Sequence, residues 1–309
     1  MKRILINTLL ALTGMFVLEG CHEGDPIPYV DDCFDDNYNA DVPFTLVVNE
    51  GMDEAFTVKA RGGEPEMARR FTIWAYRNGS GTPTFTFSTL SETPTFKLPI
   101  GDYEFKVFCD YVNKAEPKDL FYFTDRVEEL LMFNKASYDA NTHYKHSFWG
   151  DAAAKIVYKN QPVRVELSSL MARIQFRATD LPEGYKPAKV RVTYLDKVPS
   201  AVDGYTSGIS YEWENVAYVH AINDGFISFD YVFADDADRK LRLMVEILDA
   251  EDKVRARVQE IYVPIKRKGI TTVEGPFFNK QDDAPKPPVP GGGGIGIDTG
   301  FTSTVVVEV

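Results

Sequence analysis

The feature that most restricts this chain is a repeated period-two alternation of apolar and polar residues. Tyr103, Phe105, Val107, Cys109 and Tyr111 occupy every second position of one run. Ala172, Ile174, Phe176 and Ala178 do so in another, with Arg173, Gln175 and Arg177 between them. Successive side chains of a strand point to opposite faces. The second run therefore predicts a strand with one face in a core and the other in water.

The same signal recurs along the chain. Phe44–Val48, Ala55–Lys59, Phe71–Arg77, Thr84–Phe87, Thr95–Leu98 and Tyr103–Tyr111 are rich in Phe, Tyr, Val and Thr. Gly62-Gly63, Gly79-Ser80-Gly81 and Pro99-Ile100-Gly101 separate them, as short antiparallel strands require. A second block holds Val163–Leu167, Ala172–Ala178, Val190–Leu195, Phe226–Val232, Leu241–Leu248 and Val254–Ile265. Between the blocks, Val127–Phe133 is expected to form one or two helical turns, and residues 134–160 to be loop-rich. With 309 residues and 44% hydrophobic content, two ordinary domains with sizeable cores are affordable. The expected fold is all-β: two β-sandwich domains, 42–158 and 159–280, joined near residues 155–162.

Both ends of the chain carry separate signals. Lys2 and Arg3 precede a mostly apolar stretch, Ile4–Leu18, and Leu18-Glu19-Gly20-Cys21 follows. Charge, a short apolar run and a small residue before the cut read as a secretory signal over residues 1–20. A cysteine just after the cut resembles the bacterial lipobox and makes Cys21 the expected lipidation site. The alternatives are a plain signal peptide cut near Cys21 or an N-terminal anchor. The apolar run is too short and interrupted for a span, which needs roughly 20 apolar residues. Residues 21–41 read as an acidic tether, with Asp25, Asp31, Asp32, Asp35, Asp36 and Asp41 around Pro26 and Pro28. At the other end, a Pro/Gly linker over 281–294 includes the run Gly291–Gly294. It leads into an extended strand over 295–309 with Phe301, Val305, Val307 and Val309. That strand either folds back onto its own domain or completes the open sheet edge of another subunit.

Charge and chemistry exclude several functions. Formal net charge is −12, and removing residues 1–20 takes away Lys2, Arg3 and Glu19 to leave −13. Such a surface repels nucleic-acid phosphates. Cys33 and Cys109 can pair in an oxidising compartment, but Cys109 on an alternating strand reads as a buried thiol. Gly-x-Ser-x-Gly and His-Glu-x-x-His are missing from the sequence, so an enzyme is not expected. His143 and His146, near Asp139 and Asp151, are candidate metal ligands, but Asn141 and Thr142 read as a loop, and no metal or cofactor is expected. Asp235, Asp236 and Asp238 read as a solvated turn and the acidic tether as a spacer; neither is taken as a calcium site. Trp74, Trp149 and Trp213 are either core residues or a sugar-stacking platform.

Several segments together resemble the fimbrillin-like lipoproteins of the Bacteroidota, the subunit superfamily of type V pili. They are Phe71-Thr72-Ile73-Trp74-Ala75-Tyr76, and Leu98-Pro99-Ile100-Gly101-Asp102-Tyr103 running into Val107-Phe108-Cys109-Asp110-Tyr111-Val112. Val165-Glu166-Leu167 to Ala172-Arg173-Ile174, Thr179-Asp180-Leu181, Val263-Pro264-Ile265-Lys266-Arg267 and Ile297-Asp298 to Phe301 complete the set. The resemblance implies two transthyretin-like β-sandwich domains and an outer-membrane, surface-exposed lipoprotein. In polymerising members, an arginine-specific protease removes the first strand, and the groove takes a neighbour's C-terminal strand. Here the first strand is about Phe44–Val48, and Arg61 is the first arginine after Arg3. Cleavage at Arg61 would remove two strands, and the absence of an arginine directly after the first strand favours an uncleaved anchor or accessory subunit over a stalk subunit. The resemblance thus implies a lipid-anchored fimbrial subunit that contributes to adhesion, with other fimbrillin subunits as partners and a host or glycan receptor. A surface glycan-binding lipoprotein is the alternative.

Overall fold

A computed structural model describes residues 39–49, 65–125, 132–133, 140, 142–157, 162–180, 189–222, 227–278 and 303–308. Nineteen strands and no α-helix among the described residues make the chain all-β. The first strands are β1 (Asn39–Val48), β2 (Met67–Arg77), β3 (Phe85–Thr89), β4 (Thr95–Pro99) and β5 (Gly101–Asn113). Two short strands follow, β6 (Tyr122–Phe123) and β7 (Met132–Phe133), and then β8 (Phe148–Ile156) and β9 (Val163–Ser169).

Seven of these form one sheet in the order β3-β2-β5-β8-β9-β1-β4. The sheet curls around a single core. Phe44 and Leu46 of β1, Phe71 and Ile73 of β2, Phe105 and Val107 of β5 and Val165 of β9 belong to one apolar cluster. Its two end strands meet where Phe87 stacks on Phe96, with centroids 4.2 Å apart. The close approach of β8 to the β9 backbone requires glycine: a Cβ on Gly150 would lie 2.4 Å from the Glu166 carbonyl oxygen. Within the sheet, Arg70 stands opposite Asp110. Its guanidinium donates to both carboxylate oxygens, at 2.9 and 2.7 Å.

The remaining strands are β10 (Met171–Ala178), β11 (Lys189–Tyr194), β12 (Val198–Val202), β13 (Ile209–Trp213), β14 (Ala217–Ala221), β15 (Ser228–Phe233), β16 (Arg239–Leu248), β17 (Val254–Ile265), β18 (Gly269–Gly275) and β19 (Ser303–Glu308). Two four-stranded sheets result, β15-β10-β18-β19 and β14-β11-β16-β17. Ile174, Phe176, Val192, Val245 and Val263 belong to the core between them. A third apolar cluster joins the two bodies. It combines Trp74, Phe108, Tyr122 and Trp149 with Met171, Phe229, Tyr231, Phe233 and Ile270.

Several expectations change. The first body is one curled sheet and not two facing sheets, because the pairing of β8 with β9 joins all seven strands. Val163–Leu167, expected to open the second block, pairs in parallel with Phe44–Val48 and is part of the first sheet. Residues 148–156, expected to be loop, form β8 paired along β5. Met132 and Phe133, expected in a helical turn, pair with Phe123 and Tyr122. Arg173 and Gln175, expected in water, are 1% and 8% exposed. Their face of β10 is covered because the first body packs there, through the cluster that includes Met171 and Tyr231. The expected strand Ala55–Lys59 lies outside the described residues.

Candidate strand-pairing site

β18 has the residues of a central strand. Ile270, Thr271 and Thr272 are β-branched and lead to Val273, whose side chain is fully buried. A tight turn delivers it: Lys268 adopts φ 58°, and the Gly269 N–H donates to the Lys266 carbonyl at 2.9 Å. On one side β18 pairs in parallel with β10, from Arg173 opposite Ile270 to Ala178 opposite Gly275. On the other it pairs in parallel with β19, from Gly269 opposite Ser303 to Glu274 opposite Glu308. A parallel return needs a connection of roughly a dozen residues or more. Residues 279–302 are long enough to supply it.

β19 is an edge strand with one neighbour. Each net backbone hydrogen bond contributes only about 0.5–1.5 kcal/mol. Such a strand is held by far less than one paired on both sides. Val305 stands opposite Thr271 and Val307 opposite Val273. Phe301, Val309, Cys21 and Arg61 lie outside the described residues.

The other candidate residues take structural positions. His143 opens a short 3-10 turn, His143–Lys145, and His146 caps it. His143 Nδ1 lies 3.2 Å from the Tyr231 hydroxyl, and His146 Nε2 lies 2.8 Å from Ser169 Oγ. The His146 ring stacks on Tyr231 at 4.8 Å. Burial, assisted by the nearby Arg173 cation, pushes His143 down to about 4 and His146 down to about 3. Among the described residues, no group of three or more His, Cys, Asp or Glu side chains is placed to hold a metal. Trp74 and Trp149 are 2% and 9% exposed, inside the cluster between the bodies, and Trp213 packs against it. They build a core and do not form a platform. Cys109 is fully buried. Asp235 accepts from the Ala237 N–H, and Asp238 reaches Lys266 at 3.6 Å. These are contacts of a surface turn.

The sequence reading missed β18 as a strand, and with it the acceptor of β19. The β-branched run Ile270-Thr271-Thr272-Val273 was the available signal.

The architecture defines an all-β chain in which a C-terminal strand completes a sheet edge. Residues 35–308 match a family of unknown function (DUF6562), and the chain belongs to that family. No curated protein matches the sequence. Among solved structures, the chain is similar to the fimbrial anchor protein Mfa2 from Porphyromonas gingivalis. The identity is 11% over 72% of this chain and 82% of that one, with a TM-score of 0.39. It is also similar to a candidate cell adhesion protein from Bacteroides eggerthii, at 12% identity over 83% and 94% of the two chains, TM-score 0.42. A candidate adhesin from Bacteroides ovatus shows 10% identity over 74% and 79%, TM-score 0.43. These likenesses are loose, and the functional reading rests on the chain's own residues.

Proposed function

We propose that this chain is a lipid-anchored surface fimbrial subunit, of anchor or accessory type, that assembles by strand complementation and contributes to adhesion. The observation that carries the reading is the β18–β19 pair. Six residues at the end of the chain, beyond a Pro/Gly-rich stretch, add to a sheet edge through backbone pairing. A strand held in that way fits the equivalent edge of a second copy or a related subunit equally well. Cys21 anchors the chain to the outer membrane, and the acidic residues up to 41 carry the body clear of it. The role requires no catalytic residue and no cofactor. Trp74 and Trp149 are buried, so a glycan-stacking role would fall to exposed tyrosines such as Tyr211.

The test is polymer formation. Full-length mature chain, mixed with chain ending at residue 294, is followed by size-exclusion chromatography with and without arginine-specific proteolysis. The proposal expects higher-order species only when a donor strand over 295–309 is present. A chain that stays monomeric under every condition, with or without those residues, overturns it.

A further inference from the structure

The 3-10 turn between the bodies places Lys145 against Asp230 of β15. Both are charged side chains with almost no exposure, 1% and 0%, and Lys145 Nζ contacts Asp230 Oδ1. The carboxyl is held by two further donors. The Tyr194 hydroxyl donates to Oδ2 at 2.7 Å, and the Tyr231 backbone N–H donates to Oδ1 at 2.8 Å. Aromatic and apolar residues surround the site. Tyr194, Tyr218, Val232 and Ala140 belong to the adjoining core. The Tyr122 hydroxyl holds the Lys145 carbonyl from the other side. The segment ending in Lys145 leads into β8 of the first body, whereas Asp230 lies on β15 of the second.

We propose that Lys145 and Asp230 condense into an intramolecular amide that bolts the first body to the second. The requirements of the reaction are present. Nζ and the carboxyl oxygen are already in contact, so the proton that must leave the amine has an acceptor within reach. The neutral amine then attacks the carboxyl carbon, one bond beyond that oxygen. Its fixed position removes the entropic part of the barrier. Negative charge builds on the carboxyl oxygens, where the Tyr231 N–H and the Tyr194 hydroxyl already point. A nitrogen–carbon bond forms and one carbon–oxygen bond breaks. The departing oxygen takes two protons that began on the ammonium group and leaves as water. The charges of the pair cancel, and the reaction needs no oxidant or co-reactant.

The product closes a covalent ring across the seam between the bodies. A load applied between the two ends of the chain is then carried by bonds at this seam and not by the apolar cluster alone.

Peptide mapping of the full chain, denatured and digested with trypsin, tests this directly. The amide predicts a branched peptide joining the Lys145 and Asp230 segments, lighter than its two arms by one water, with cleavage after Lys145 lost. Asp230→Asn should give the same branched product with loss of ammonia in place of water. Lys145→Met should give none. Tyr194→Phe should slow accumulation of the branched peptide without changing its mass. Cleavage after Lys145 and two unlinked peptides from folded wild-type protein would overturn the proposal, whatever the variants do.

Discussion

The two terminal strands of the described chain, β1 and β19, are built into their sheets in opposite ways. β1 lies between β4 and β9, with Asn39–Pro43 paired to β4 and Phe44–Val48 paired to β9. Its Ala40, Val42, Phe44 and Leu46 are 1–2% exposed. β19 has one neighbour and pairs over six residues at an edge. Both join a neighbour in parallel, and β1 supplies a side-chain row to the core of the curled sheet. Loss of a central strand divides a sheet, whereas loss of an edge strand leaves the rest of the ladder paired. A chain that exchanges strands can release the second far more readily than the first.

The largest effect should follow from removing β1. A chain starting at residue 49 should lose the cooperative unfolding transition of the first body, read by near-ultraviolet circular dichroism. Retention of that transition would show that β1 is as dispensable as β19. Next, Arg70→Met leaves Asp110 buried without its guanidinium. Breaking one partner of such a pair costs about 3–5 kcal/mol, measurable by urea denaturation. The double variant Arg70→Met with Asp110→Leu should recover most of that loss.

Acid should act on the seam and the second body. His143, His146 and His220 are pushed down to about 4, about 3 and about 4, in each case chiefly by burial. Their contribution is complete above pH about 6.5 and is lost as pH falls towards those values. The slope is at most about 1.4 kcal/mol per pH unit for each imidazole. Asp110, pushed up to about 6 by burial against the pull of Arg70, works in the opposite direction. Its penalty is relieved as pH falls through about 6, which offsets part of the loss. Replacing His146 with Gln should flatten the acid limb of a stability–pH curve. Gly150→Ala should cost about 1–3 kcal/mol, because the new methyl meets backbone that cannot move aside. The smallest effect on stability belongs to β19. Deleting 295–309 should shift the urea midpoint only slightly while abolishing polymer formation.

How much of this was legible depends on what each strand packs against. β2, β5 and β17 carry many β-branched and aromatic residues, and β10 and β16 carry alternating or dense apolar positions, so each is legible near its observed place. β8 is not, because Gly150-Asp151-Ala152-Ala153-Ala154-Lys155 lacks β-branched and aromatic residues. Its small side chains suit a strand crossed closely by β9. Alternation puts Arg173 and Gln175 in water, because it reports only that the two faces differ. It does not say that a second body covers the polar face. Val163–Leu167 likewise reads as a strand, but its partner, β1, lies more than a hundred residues earlier. No local pattern encodes that pairing. Val305 and Val307 were legible as strand residues, whereas the edge that receives them was not.

Hydrogen exchange of the β18 backbone amides tests the central claim most directly. The chain ending at residue 294 is compared with the full chain, before and after addition of a free peptide spanning 295–309. Truncation should unprotect β18 amides while leaving those of β10 and β1 unchanged, and the peptide should restore the protection in trans. Loss of protection throughout the second body on truncation, or a peptide that restores nothing at β18, would contradict an exchangeable strand and make β19 a fixed part of its own domain.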